Sequence, residues 1–444
     1  RIKWAEKDAG LAILRLNRLQ NHLEILLATP KTGKSRIVYE EKNKYYIDIT
    51  DNLFFLDDGF IITSEKSGYN HIYYHSIATE NNIAITSGTY DVIEVFGIDT
   101  TNGLVYYEAA ASSPMDREVY AANLDGTGTK SIAAKAGHNS ASFSETYDYF
   151  ILKWSDANTP PVYSLMDING NLIKIMESNA NLVKMQQEAK FPEIAFDTFT
   201  TDEGVSLNYW MILPYDFDPL KKYPVLMYVY GGPGSQTVEN LWSYQNLWHI
   251  YMAKKGYIVV SVDNRGTGNR GEEFKKCTYK ELGKLETIDQ ISTAEHLASV
   301  SYIDPSRIGI WGWSYGGYMT TLCMTKGADI FKTGVAVAPV TNWRYYDNIY
   351  TERFMRTPQE NGENYDINSP VHHVDSLKGK YMVIHGAADD NVHVQNTYDL
   401  VNALIKAGKQ FDMFIYPNRN HGIYGGNTRF HLYNMMTNYI LENL

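Results

Sequence analysis

Up to about residue 185, apolar and β-branched residues come in short runs broken by Gly, Asn and Asp. Such runs read as strands. A loose repeat runs through them, with units starting at Gly10, Gly59, Gly103 and Tyr149, as in "GFIITSEKSGYNHIYYHSIATE" and "YFILKWSDANTPPVYSLMDING". Each unit holds two strand candidates around a polar turn. An all-β period in the mid-forties predicts propeller blades, with a β-sandwich of chance similarity as the alternative. About four units fit, so further blades are expected ahead of Arg1.

From about Phe191 the pattern changes. "YPVLMYVYGG", "GYIVVSVDNRG", "RIGIWGWSYGG", "KTGVAVAPV" and "KYMVIHGAADD" are apolar runs that end at Gly or acidic turns. Between them, "LETIDQISTAEHLASV" and "VQNTYDLVNALIKAG" carry apolar residues at helical spacing. Strands alternating with helices predict a doubly wound, mostly parallel sheet. Sites in such sheets form beyond the carboxyl ends of strands, where Ser314, Asp389 and Asp390 fall. The expected division is a partial propeller over 1–188 and a catalytic α/β domain over 189–444.

Composition narrows the function. At 444 residues, two domains are the natural expectation. A formal charge of −11 argues against nucleic acid. No apolar run reaches the roughly 18 residues of a membrane helix. The chain opens on "RIKWAEKDAG" without Met or leader, so a piece of a longer precursor is expected. Cys277 and Cys323 have no metal or redox spacing; isolated core thiols are favoured over one disulfide.

Gly312-Trp313-Ser314-Tyr315-Gly316 matches G-x-S-x-G after a strand and before a helix, the nucleophile elbow. A serine hydroxyl needs a base. Downstream, "VIHGAADDNVH" puts Asp389 just past a strand, and "YPNRNHGIYG" puts His421 in a loop before the last helix. The order Ser314, Asp389, His421 fits an α/β-hydrolase triad. Spacing alone does not separate Asp389 from Asp390. His385, inside a strand run, reads as a satisfied buried histidine. His372-His373 has no third ligand and reads as a loop feature. Neither metal nor cofactor is expected.

"GWSYGGYMT", "HGAADDNVH" and "NHGI", with "KKYPVLMYVYGGPGSQ" and "VAVAPVTNWRYYDNIYTERFM", resemble the dipeptidyl peptidase IV branch of the prolyl oligopeptidase family. The resemblance is strong over Tyr209–Leu444 and weaker through the propeller. It implies an α/β hydrolase behind a propeller, with Ser314 acylated and Asp389, not Asp390, as the acid. It implies an oxyanion hole from the Tyr315 N–H and the Tyr230 hydroxyl, and Asn391 on a substrate carbonyl. Carried over by position, Tyr315, Val340, Trp343, Tyr346, Tyr350 and Val392 would seat a proline ring, whose missing N–H and fixed φ suit flat apolar walls. Trp343, Tyr346 and Tyr350 recur at three- and four-residue steps, as on one helical face.

The implied activity is a serine exopeptidase releasing dipeptides, or tripeptides, after proline, acting on peptides with proline near the N-terminus. A homodimer and a periplasmic, cell-surface or secreted location also come from the resemblance. The acidic clamp for the substrate amine falls before Arg1; Glu40-Glu41 reads as a solvated pair in a blade turn. An acylaminoacyl peptidase or esterase, a silent binding protein, and a truncated chain without activity are the alternatives.

Overall fold

The structure, a computed structural model, describes residues 1–5 and 10–444. These divide into two compact units: residues 1–185 with 239–242 and 269–276, and residues 186–238, 243–268 and 277–444.

The first unit holds four antiparallel four-stranded sheets. Their strands are Ile2–Trp4, Leu11–Leu16, His22–Ala28 and Ser35–Lys42 (β1–β4); Leu53–Phe55, Gly59–Ser64, His71–Ser76 and Asn82–Ala84 (β5–β8); Val92–Asp99, Leu104–Ala109, Glu118–Asn123 and Thr129–Ala133 (β9–β12); and His138–Phe143, Tyr149–Ser155, Val162–Asp167 and Leu172–Glu177 (β13–β16). Within each sheet, strands follow in chain order. The repeat read from sequence marks the middle hairpin of each sheet, β2–β3, β6–β7, β10–β11 and β14–β15.

Alternation along β6 shows how the sheets stack. Phe60 and Ile62 join Ile25 and Val38 in one core, while Ile61 joins Val95, Val105 and Tyr107 in the next. Tyr106, on the opposite face of β10 from Tyr107, packs with Phe150 and Met166 in a third. Side chains that alternate at period two thus bury both faces of an inner sheet. The outer strands are different. Every residue of β16 is exposed, so no burial pattern announces it.

Glu40 and Glu41 lie inside β4 rather than in a turn. Glu40 is exposed and pairs with Lys42 and His22, while Glu41 accepts from Tyr39 and Ser64. Two later segments also fold into this unit. Arg117 pairs with Glu239 at 3.0 Å, and Lys276, only 1% exposed, meets Glu65 and the Tyr46 carbonyl.

The second unit is built on one eight-stranded sheet. Its strands are Ile194–Thr200, Ser206–Ile212, Tyr223–Val229, Ile258–Val262, Ile303–Trp313, Thr333–Val337, Lys380–Gly386 and Asp412–Tyr416 (β17–β24). The order is β17-β18-β20-β19-β21-β22-β23-β24; the first two pairings are antiparallel and the rest parallel. β20 and β22 are buried at every residue, as expected of parallel strands covered on both faces. Both cysteines are free thiols, Cys323 buried and Cys277 half-buried.

Candidate active site

Four neighbouring parallel strands deliver the candidate residues at their carboxyl ends. β19 ends at Val229, just before Tyr230; β21 ends at Trp313, before Ser314; β22 ends at Val337, ahead of Val340; β23 ends at Gly386, three residues before Asp389.

Ser314 sits between β21 and the helix Tyr315–Lys326 with φ 61° and ψ −117°. A side chain in that backbone region is strained. What holds it is close packing that only glycine permits. A Cβ on Gly316 would come 2.1 Å from the Val229 carbonyl oxygen, and one on Gly312 would meet both Gly316 and Val229. The Ser314 N–H donates to Val337 across 2.9 Å. The turn therefore wedges the serine between β19 and β22 at a helix N-terminus, where the helix dipole favours negative charge.

Asp389 and His421 come together. His421 Nδ1 lies 2.7 Å from Asp389 Oδ2. The other oxygen, Oδ1, accepts the backbone N–H groups of Asn391 at 3.0 Å and Val392 at 2.9 Å. Burial pushes this carboxyl upward, but the bonds from His385 and His421, with the His421 charge and the Asn391 N–H, hold it well below its ordinary value. Asp389 is therefore a buried carboxylate, and His421 is its partly exposed partner. The Trp313 indole N–H donates to the His421 carbonyl at 3.0 Å, tying that loop to the residue before Ser314.

Aromatic rings converge beside the turn. Trp343, 1% exposed, stacks near-parallel on Tyr350 with centroids 5.9 Å apart and meets Tyr346 edge-on. Its ring also packs against Tyr315 and Tyr318. Val340 and Val392 are buried. The Tyr346 hydroxyl bonds Asn391 Oδ1 at 2.7 Å. The three aromatics do not share one helix, as their spacing suggested. Trp343 opens a short 3₁₀ turn, Tyr346 is extended, and Tyr350 lies in the helix Asn348–Met355, which Asp347 caps. That cap breaks the helix register but keeps the rings together.

Tyr230 follows β19 with its ring 6.1 Å from that of Tyr315, and burial raises its hydroxyl pKa. The turn after it is anchored by the fully buried Asn264, which donates to the Gly231 carbonyl and accepts from Gln290. His372 and His373 lie apart from these groups, the first near Asp366 and the second bonded to the Ile367 carbonyl.

Residues 242–444 match the Prolyl oligopeptidase family, and residues 1–161 match the Dipeptidyl peptidase IV (DPP IV) N-terminal region. The chain belongs to the prolyl oligopeptidase family, in its dipeptidyl peptidase IV branch. The crystal structure of Porphyromonas gingivalis dipeptidyl peptidase 4 superposes with a TM-score of 0.96 at 42% identity, covering 100% of this chain and 63% of that one. A Sclerotinia sclerotiorum protein named "Probable dipeptidyl-aminopeptidase B" is 36% identical over 99% of this chain and 50% of its own. A protein of the same name from Botryotinia fuckeliana is 40% identical over 87% of this chain and 43% of its own. The chain thus spans about half the length of these curated relatives.

Sequence reading passed over several groups that shape this prolyl oligopeptidase site. Asn264, Gln290 and Glu286 are polar residues that no motif in the sequence marks, and all three are fully buried. The apolar spacing of "LETIDQISTAEHLASV" pointed to an apolar inner face, but the face this helix buries is largely polar: Glu286, Thr287, Asp289, Gln290 and Thr293 with Ala294 and Leu297. Trp313 hid inside the G-x-S-x-G pattern, where its position is unconstrained.

Proposed function

We propose that this chain carries the catalytic machinery of a serine exopeptidase that releases N-terminal dipeptides, or tripeptides, after proline through an acyl-enzyme. The observation that carries this reading is the strained Ser314 turn combined with the 2.7 Å Asp389–His421 contact.

Ser314 Oγ attacks the scissile carbonyl while His421 Nε2 takes its proton. Asp389 holds the ring through Nδ1 and stabilises the imidazolium. Charge developing on the carbonyl oxygen meets the Tyr315 N–H and the Tyr230 hydroxyl. Burial keeps Tyr230 protonated, which suits it to donate. His421 then protonates the leaving amine, the C–N bond breaks, and water, activated by the same imidazole, releases the acyl group.

Substrate choice follows from the walls. Trp343, Tyr346, Tyr350, Tyr315, Val340 and Val392 offer flat apolar surface to a proline ring. Because Tyr346 occupies the Asn391 oxygen, the Asn391 NH₂ is left to donate to a substrate carbonyl. No helix among the described residues is long and apolar enough to cross a membrane.

The test is hydrolysis by the full chain of free-amine X-Pro, free-amine X-X-Pro and N-blocked X-Pro chromogenic substrates, with Ser314→Ala as control. Cleavage of one free-amine length, lost in the control, is expected. Turnover that survives Ser314→Ala, or that ignores replacement of proline by leucine, overturns the reading.

A further inference from the structure

The acid of the site has a second histidine. His385, at the penultimate position of β23, is completely buried. Its Nε2 lies 2.8 Å from the Val392 carbonyl oxygen and 3.2 Å from Asp389 Oδ2, the oxygen that also receives His421. Its Nδ1 lies 2.7 Å from the Thr397 hydroxyl, on the helix Gln395–Lys406.

These contacts set the tautomer. A carbonyl oxygen only accepts, so Nε2 must carry the proton facing Val392 and Asp389. Nδ1 then accepts from the Thr397 hydroxyl. The ring is thereby fixed at both ends, and its N–H closes a small loop. Val392 donates its own N–H to Asp389 Oδ1 and accepts from His385 at its carbonyl, so the turn carrying Asp389 is clamped from inside.

We propose that His385 is a positioning residue for the Ser314–Asp389–His421 site, acting through Asp389. Its N–H, donated to the Val392 carbonyl, also lies beside Asp389 Oδ2, where Nε2 is 3.2 Å away, and adds a fourth polar contact to the donors His421, Asn391 and Val392. A carboxylate offers about four lone-pair sites, so these contacts surround it and hinder its rotation away from His421. Sharing Oδ2 between two N–H groups also limits how strongly Asp389 stabilises a protonated His421. The titratable groups in this arrangement are Asp389, His421 and His385 itself. This inference rests on the catalytic reading above.

The experiment compares two polar replacements in the full chain. Gln places its amide nitrogen near Nε2, whereas Asn reaches only the Nδ1 position. The readout is the rate of Ser314 labelling by a fluorophosphonate across pH, which needs no peptide specificity, with thermal melts to establish folding. His385→Gln is expected to label within about threefold of wild type. His385→Asn should fall about tenfold or more, the scale of one hydrogen bond to a charged group. Its half-maximal pH should rise, because Asp389 then gives more of its charge to His421.

Equal rates in the two variants, or a wild-type pH profile in His385→Asn, would overturn the positioning role while leaving the triad intact. If neither variant folds, Thr397→Val, which frees Nδ1 and lets the ring turn, must show the same slowing and pH shift; a wild-type profile there overturns the role. A wild-type protein that does not label at all overturns the catalytic reading itself, and His385's role with it.

Discussion

Tyr315 donates its hydroxyl to Glu286 across 2.8 Å, tying the residue after Ser314 to the helix Lys284–Ala298. Glu286 is fully buried and also accepts the Gly283 N–H at 2.9 Å. Among the described residues no cation forms an ion pair with it, and burial pushes its carboxyl up to about 7.

That shift makes stability depend on pH. The folded pKa lies above the ordinary 4.5, so the folded form holds its proton more tightly. The associated stability is fully present below about pH 4.5 and is lost as pH rises towards 7 and beyond. Glu286→Gln, which keeps the shape without the charge, should therefore gain on wild type by roughly 2 to 3 kcal/mol between pH 4.5 and 8. Urea unfolding at both pH values reads it; an identical wild-type-to-variant difference at the two would refute it.

Asp389→Asn should lower kcat on an X-Pro substrate by about 10⁴-fold and also lower the melting temperature at neutral pH, because the charge that its buried donors stabilise is gone. An amide there favours the wrong tautomer of the base. A loss below tenfold would mean that His421 does not depend on the 2.7 Å contact.

Tyr230→Phe removes one oxyanion donor and leaves the ring. About a hundredfold loss in kcat with little change in KM is expected. A rise in KM alone would assign Tyr230 to ground-state binding.

Gly316→Ala tests the packing that strains Ser314. The new Cβ would lie 2.1 Å from the Val229 oxygen, against backbone that has no rotamer to change. A loss of about 3 kcal/mol or more in stability, with loss of activity, is expected. An unchanged melt would show that the turn is not held by this approach.

Much of the architecture was legible because burial writes a strong pattern. The runs that became β19, β20, β22 and β23 and the second half of β21 are dominated by buried residues, and the period of the first half marks the middle hairpins of the sheets. The edge strands were not legible. β16 is exposed at every residue and β8 is short and exposed, so neither shows a buried face. At the site, G-x-S-x-G after a strand marks Ser314 and chain order marks His421 as candidates, whereas Asp389 is separated from Asp390 only by the family resemblance; the structure brings Asp389 and His421 together. The supporting contacts of Asn264 and Glu286 could not, since they meet partners far away in sequence; His385 reads from sequence as a satisfied buried histidine, which it is, but not as a neighbour of Asp389. The structure packs the aromatic trio together but not on one helical face, because a single capping residue, Asp347, restarts the helix between Tyr346 and Tyr350.

The most direct test of the central claim is to trap the acyl-enzyme. The full chain is mixed with a free-amine X-Pro ester, quenched in acid within milliseconds to seconds, digested and mapped by mass spectrometry. An adduct of the X-Pro acyl mass on the peptide bearing Ser314, absent in Ser314→Ala, is the expected result. Turnover without such an adduct, or with the adduct on another residue, would contradict the account.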